Sequence, residues 1–167
     1  MHDHTFKVET AGDQQRLVFA DNFNVADFFV DRHPREGRGG KVAIRNDEGI
    51  EVTYAELVQR VNRCGRALLD LGLAPGDRVL MMIKDAPEFF YVFWGAIKAG
   101  LVPVPINTIL RAKDYKFMLE DSGCAAVIYS PEYAGEVEAA LAQARPGPRH
   151  ALRTEGPGQT LGQLMAL

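Results

Sequence analysis

The chain has 167 residues, of which 47% are hydrophobic and 25% charged, and its formal net charge is -3. This composition is typical of one globular domain with a hydrophobic core, and without a basic excess it argues against a nucleic-acid-binding surface. The longest apolar stretch, residues 89–97, is too short to cross a bilayer, and residues 1–10 do not resemble a secretion signal. Cys64 and Cys124 lie in apolar contexts, which predicts buried, reduced thiols of a cytoplasmic protein.

The first part of the chain carries few strong signals. We expect residues 1–22 to be a mobile segment, followed by a short helix over residues 25–32. Asn24 can cap that helix, and Pro34 is expected to end it. The aromatic residues of this helix, Phe28 and Phe29, would contact the body of the protein.

The next two elements have clearer boundaries. Val42–Arg45 and Glu51–Thr53 flank a turn with Asn, Asp and Gly, which predicts a β-hairpin. Thr53 and Glu56 then form a T-x-x-E capping box, and Gly72 follows the last turn of the helix. Apolar residues recur along this helix at intervals of four and three: Leu57, Val61, Cys64, Leu68 and Leu71.

From residue 78 onward, short apolar runs alternate with helical segments. The strand-like runs begin near Arg78, Val102, Ala125 and Arg149. Such an alternation predicts an α/β fold, a mostly parallel sheet of about four strands with flanking helices. Pro103 and Pro105 lack amide donors on the same side of their strand, so this strand is expected at an edge of the sheet.

The helix between the first two of these strands is the most apolar of the chain. Asp85 is expected to cap it, Pro87 to lie in its first turn, and Gly100 to follow its end. Its aromatic spacing predicts burial of Phe89, Phe93 and Ile97, and a loss of about 3–5 kcal/mol for Phe93→Ala. A second helix is predicted near residues 113–121 and a third after residue 132. Thr160 would cap a final helix that the chain end cuts off, so we expect residues 23–167 to be an incomplete, truncated α/β portion of a larger domain.

Motifs that would carry catalysis are not found in the sequence. The segment 95–100, GAIKAG, has the glycine spacing of a phosphate loop, but it lacks the Lys and Ser/Thr that must follow and lies at the end of a helix. The four histidines, His2, His4, His33 and His150, have no partners at metal-ligand spacing. We therefore predict neither a catalytic residue nor a metal site.

Four segments together resemble a known family. Residues 52–57 (VTYAEL) and 97–107 (IKAGLVPVPIN) are similar to the first two core motifs of adenylate-forming enzymes. Residues 107–123 (NTILRAKDYKFMLEDSG) and 23–40 (FNVADFFVDRHPREGRGG) resemble the aryl-CoA ligase branch of that family, benzoate-CoA ligases in particular.

The resemblance implies the N-terminal part of an AMP-forming acid–CoA ligase of aromatic acid degradation. Such an enzyme condenses a carboxylate with ATP and Mg²⁺ to an acyl adenylate and passes the acyl group to CoA. The family's phosphate loop, metal carboxylate and catalytic lysine are not found in residues 1–167, so the chain alone is expected to be an inactive scaffold that works with the remainder of its own protein. The alternatives are another adenylate-forming enzyme, of fatty-acid, cinnamate or peptide-synthetase type, and a non-catalytic α/β interaction module. Which acid is used and whether the protein is a homo-oligomer stay open.

Arg111 and Lys113 are the candidate cofactor-binding residues. In relatives, a basic residue in this segment can contact the phosphate end of CoA. The equivalent position here is closest to Ile109, so Arg111 and Lys113 are candidates because they lie near that position, not because they match it. Guanidinium and ammonium groups suit a phosphate anion, but exposed Lys and Arg are the rule, and this favours solvated side chains on the first turn of a helix. Because Arg111 and Ala112 stand where a Ser/Thr cap is expected, the start of that helix is less certain.

Overall fold

The computed structural model describes residues 6–166, and from residue 42 onward its strands and helices follow the predicted order. The strands there are β1 Phe6–Ala11, β2 Gln14–Phe19, β3 Val42–Arg45, β4 Glu51–Thr53, β5 Arg78–Met82, β6 Val102–Pro105, β7 Ala126–Tyr129 and β8 His150–Arg153. The α-helices are α1 Arg32–Arg35, α2 Tyr54–Asp70, α3 Pro87–Lys98, α4 Ala112–Ser122, α5 Ala134–Gln143 and α6 Leu161–Ala166. A π-helical turn, Asp27–Asp31, precedes α1, and a 3₁₀ turn, Pro131–Tyr133, precedes α5.

The central element is a four-stranded sheet in the order β6-β5-β7-β8. All three neighbouring pairs are parallel, which confirms the predicted α/β fold. The two proline residues of β6 lie at an edge of this sheet, as their missing donors predict. β3 and β4 form the predicted antiparallel hairpin.

Hydrophobic clusters cover both faces of the sheet. In β5, Val79 and Met81 belong to one cluster and Leu80 and Met82 to the other, because successive side chains of a strand point to opposite faces. α2, α3 and α6 contribute to the first cluster and α4 and α5 to the second. The sheet is therefore the middle layer of a three-layer arrangement.

Helix α2 begins and packs as its sequence predicts. The Thr53 hydroxyl accepts a hydrogen bond from the Glu56 amide at 3.3 Å, and the Glu56 carboxylate accepts one from the Thr53 amide at 2.8 Å. Four of the five predicted apolar residues are buried, and Leu71 is partly buried against the same cluster. Against α3 the helix places Gly65 beside Gly95, where a Cβ atom on Gly65 would lie 2.8 Å from the Gly95 carbonyl oxygen.

Two predictions for α3 are wrong in detail. Asp85 does not cap the helix, because the N-cap is Ala86 and makes no side-chain cap hydrogen bond; Pro87 then occupies the first turn as expected. The buried residues are Tyr91, Val92, Gly95 and Ala96, together with Pro87. Phe89, Phe93 and Ile97, predicted to be buried, are only partly so, since the small residues of the helix let a different face approach the sheet and α2.

The N-terminal residues contain a hairpin that sequence reasoning did not find. β1 and β2 pair antiparallel, with Phe6 opposite Phe19 and Val8 opposite Leu17, around a turn in which Gly12 has φ of 63°. The mobility predicted for residues 1–22 stays a prediction, and residues 1–5 lie outside the described part. 

The short helical segment after this hairpin is anchored at its start. The Asn24 side chain accepts a hydrogen bond from the Ala26 amide at 3.0 Å, as a cap does, and donates one to the Ile97 carbonyl at 2.9 Å. Pro34 does not end the segment, because it lies inside α1, which continues directly from the π-helical turn and ends at Arg35.

The last helix, α6, is capped by Thr160, whose hydroxyl accepts a hydrogen bond from the Gln163 amide at 3.2 Å. Cys64 and Cys124 are free and buried in the two different clusters, which confirms that they are packed thiols. Burial raises the pKa of the Cys64 thiol to about 12. Among residues 6–166, no helix is long and apolar enough to cross a membrane.

Candidate functional site

The carboxyl edge of the parallel sheet is the first place to look for a ligand site. The chain runs from β5 to β6 on one side and from β7 to β8 on the other, so the strand order reverses between β5 and β7. In open α/β sheets, ligands bind outside the carboxyl ends of the strands at such a reversal. A crevice of about 240 Å³ lies here, and Lys84, Ser130 and Thr154 are among its lining residues.

Two residues of this crevice, Lys84 and Ser130, are held by hydrogen bonds. The Lys84 amide donates to the Ser130 hydroxyl oxygen at 3.1 Å, and the Lys84 ammonium donates to the Glu132 carboxylate at 2.6 Å. This hydrogen bond and the charge of Glu132 raise the pKa of the Lys84 ammonium. The Lys84 ammonium is therefore paired with Glu132.

The loop between β6 and α4 leaves the same edge of the sheet. Asn107 orders its start, because the Asn107 side-chain oxygen accepts a hydrogen bond from the Ile109 amide at 3.0 Å. Ile109, two residues before Arg111, is 82% exposed. An apolar side chain offers an anion neither a charge nor a hydrogen-bond donor, so the candidates in this loop are the basic residues that follow.

Arg111 and Lys113 both lie at the exposed start of α4. The Arg111 guanidinium donates from Nη1 to the Glu136 Oε1 of α5 at 3.2 Å, and its side chain is 77% exposed. Lys113 is exposed two residues further on, in the first turn. The structure thus presents two exposed cations on one short segment that follows the carboxyl edge of the sheet.

The start of α4 has a cap that sequence reasoning missed. The other oxygen of Glu136, Oε2, accepts a hydrogen bond from the Ala112 amide at 2.7 Å. Asp114 in the first turn accepts a second one from the Arg111 amide at 3.3 Å. Asp114 could have been noticed at its local spacing, but Glu136 is 24 residues away in sequence, and no local pattern indicates it.

The segment GAIKAG is explained by packing rather than by phosphate. Gly95 lies inside α3 at the contact with α2, and Gly100 follows the helix with φ of 78°. Of the histidines, His2 and His4 lie outside the described residues, and His33 stacks on Tyr54. Burial, with Arg38 and Arg32 nearby, lowers the pKa of His33. Within residues 6–166, no group of three or more His, Cys, Asp or Glu could hold a metal ion.

Comparison with known proteins gives the family. The family model of the "AMP-binding enzyme" matches residues 30–161. The chain belongs to this family of adenylate-forming enzymes. It is 45% identical over 117 residues to the benzoate–CoA ligase of Thauera aromatica, covering 70% of this chain and 22% of that protein.

Two further relatives are named as CoA ligases for different acids. A benzoate CoA ligase structure from Burkholderia xenovorans superposes with a TM-score of 0.78 at 34% identity, covering 86% of this chain and 28% of that one. A long-chain-fatty-acid–CoA ligase of Mycobacterium tuberculosis is 44% identical over 97 residues, which is 58% of this chain and 19% of that protein. The chain thus spans about a fifth of the curated relatives it matches.

Proposed function

We propose that this chain is the N-terminal part of an AMP-forming aryl-CoA ligase. The enzyme would condense an aromatic carboxylate with ATP, release pyrophosphate, and transfer the acyl group from the adenylate to CoA. The observation that carries this proposal is the 45% identity to a benzoate–CoA ligase. The free, buried cysteines support a reducing compartment, so we propose a cytoplasmic location.

Within that enzyme we propose a scaffolding role for this chain. Its four-stranded sheet holds the 107–113 loop at the carboxyl edge, and the Lys84 ammonium at the adjacent crevice is already paired with Glu132. No group of three or more His, Cys, Asp or Glu among residues 6–166 could hold a metal ion, and the sequence does not contain the phosphate-loop motif. We therefore assign the phosphate loop, the Mg²⁺ ligands and the catalytic lysine to the remainder of the protein.

A second candidate is a CoA ligase for a different acid. It is favoured by the 44% identity to the mycobacterial fatty-acid ligase, which is almost as high as that to the benzoate–CoA ligase, though over fewer residues. A panel of benzoate, cinnamate and a long-chain fatty acid, assayed on the full-length protein, separates the two, because adenylation of one class alone identifies the pocket. A peptide-synthetase adenylation domain would instead activate an amino acid, and a non-catalytic module would activate none.

The proposed division of labour predicts that the 167-residue chain alone does not catalyse ATP–pyrophosphate exchange with benzoate. The full-length protein is expected to catalyse it in the presence of Mg²⁺, because the adenylation groups would then be present. Both are measured by incorporation of labelled pyrophosphate into ATP. Exchange above the blank by the 167-residue chain would show that it contains a phosphate site of its own.

We further propose that Arg111 and Lys113 contact a phosphate group of CoA. Both cations are exposed on one turn at the carboxyl edge of the sheet. Arg111 can offer two parallel N–H donors to a phosphate, whereas Lys113 supplies a point charge.

Arg111→Ala in the full-length protein is expected to raise the KM for CoA about five- to tenfold, the effect of losing a partly solvated charge-assisted hydrogen bond. The KM values for ATP and for the acid should change little, which identifies lost binding rather than lost chemistry. A matched control is Arg66→Ala, since Arg66 is 78% exposed and paired to Asp70 on α2, on the other face of the sheet. An unchanged KM for CoA in Arg111→Ala would mean that Arg111 is a solvated surface residue that does not contact CoA.

A further inference from the structure

Glu136 joins two features of the 107–113 loop. One oxygen of its carboxylate caps the first turn of α4 at the Ala112 amide, 2.7 Å away, and the other contacts Arg111 Nη1 at 3.2 Å. A carboxylate suits the positive end of a helix, so the short contact to Ala112 keeps Glu136 in place. The longer contact to Arg111 depends on a side chain that is mostly in solvent.

The position of Glu136 has a consequence for any anion that approaches Arg111. The carboxylate occupies one donor of the guanidinium and adds a negative charge beside it. A phosphate can bind the donors of Arg111 that Glu136 leaves free, but it then lies close to the carboxylate charge, and a phosphate that uses Nη1 must displace the carboxylate. Because exposed ion pairs are weak, the displacement is feasible, and its cost appears in the affinity.

We propose that Glu136 competes with the phosphate of CoA for Arg111 and so weakens CoA binding. This rests on the proposed function, in which Arg111 contacts CoA. Glu136 is a positioning residue, since it acts through Arg111 and need not touch the ligand. The ligase would thereby release CoA products more readily than an unopposed arginine allows.

The alternative role, in which Glu136 only orients Arg111 for CoA, predicts the opposite sign. An orienting partner raises the KM for CoA when it is lost, whereas a competitor lowers it. The geometry favours competition because the 3.2 Å contact uses a single donor on an exposed side chain, which fixes the guanidinium poorly.

The decisive variant is Glu136→Gln in the full-length protein. A glutamine keeps an amide oxygen that can accept from the Ala112 amide, so the cap of α4 survives while the charge is removed. The KM for CoA is expected to fall about threefold, with the KM for ATP and for the acid unchanged. The difference from the parent should shrink as salt is raised, because exposed charges are screened.

Two further variants separate the possible outcomes. The double variant Arg111→Ala/Glu136→Gln should show the same KM for CoA as Arg111→Ala alone, because without the Arg111 guanidinium the Glu136 carboxylate has no group to compete for. Glu138→Gln is the matched control, since Glu138 lies on the same helix but pairs with Arg153, and it should leave the KM for CoA unchanged.

An unchanged or higher KM for CoA in Glu136→Gln overturns the competition. An equal decrease in the Arg111→Ala background also overturns it, since Glu136 would then repel CoA directly. If Arg111→Ala alone has no effect on this KM, the CoA contact itself is wrong, and the competition is wrong with it.

Discussion

Gly65→Val is expected to lower the free energy of unfolding of the 167-residue chain by about 3 kcal/mol or more, the upper range for overpacking. Even a single Cβ atom at this position would lie 2.8 Å from the Gly95 carbonyl oxygen of α3. That atom belongs to the backbone of a packed helix and cannot rotate away. The two helices must therefore separate, and the separation disturbs the buried residues between them and the sheet.

Urea denaturation of the variant and the parent measures this loss. The matched control is Gly135→Val, because Gly135 also lies in a helix but has nothing within 4 Å of a built Cβ atom. It is expected to stay within about 0.5 kcal/mol of the parent. Equal stabilities of Gly65→Val and Gly135→Val would mean that α2 and α3 do not approach each other as closely as the structure shows.

The elements that sequence reasoning predicted correctly are those specified by neighbouring residues. The capping box of Thr53 and Glu56 places the start of α2 because both partners lie within one turn. Short apolar runs alternating with helices predicted four parallel strands, because a crossover helix leaves the chain little choice of direction. The prolines of β6 predicted an edge strand for an equally local reason, a missing donor.

The β1–β2 hairpin was missed although its signal is present. Phe6 and Val8 alternate with polar residues before Gly12, but after it Leu17, Val18 and Phe19 are consecutive. Both strands are mostly exposed, and the second does not show the apolar–polar alternation of a half-buried strand. The hairpin had to be found from its turn, where Gly12 adopts a positive φ.

The candidate site was predictable only in part. The exposed basic residues of the 107–113 loop could be identified from the sequence, since charges at the start of a surface helix are ordinary. Their environment could not, because Glu136 reaches the loop from α5 across 24 residues of chain. A contact of that kind follows from how α4 and α5 lie against the same face of the sheet, which is a property of tertiary packing.

The face of α3 that is buried in the core is a second feature that tertiary packing determines. Nearly every side of this helix is apolar, so periodicity alone cannot distinguish the sides. Val92 and Ala96 are buried in the cluster that covers the sheet, and Gly95 packs against α2. The aromatic row of α3, Phe89 and Phe93, is only partly buried. These two rings stack on each other, with ring centroids 6.1 Å apart.

Because the aromatic row of α3 is only partly buried, truncating the larger side chain, Phe93, is expected to cost less stability than truncating the smaller Leu68. Leu68→Ala should cost about 3 kcal/mol, because Leu68 is fully buried and its loss leaves a closed cavity. Phe93→Ala should cost only about 1–2 kcal/mol, below the usual range for a core Phe, since part of the ring is already in contact with solvent. Urea denaturation checks both, with Leu69→Ala as the control on the same helix, where the leucine is 40% exposed and a loss below about 1 kcal/mol is expected. A loss for Phe93→Ala as large as that for Leu68→Ala would place the aromatic row of α3 in the core after all.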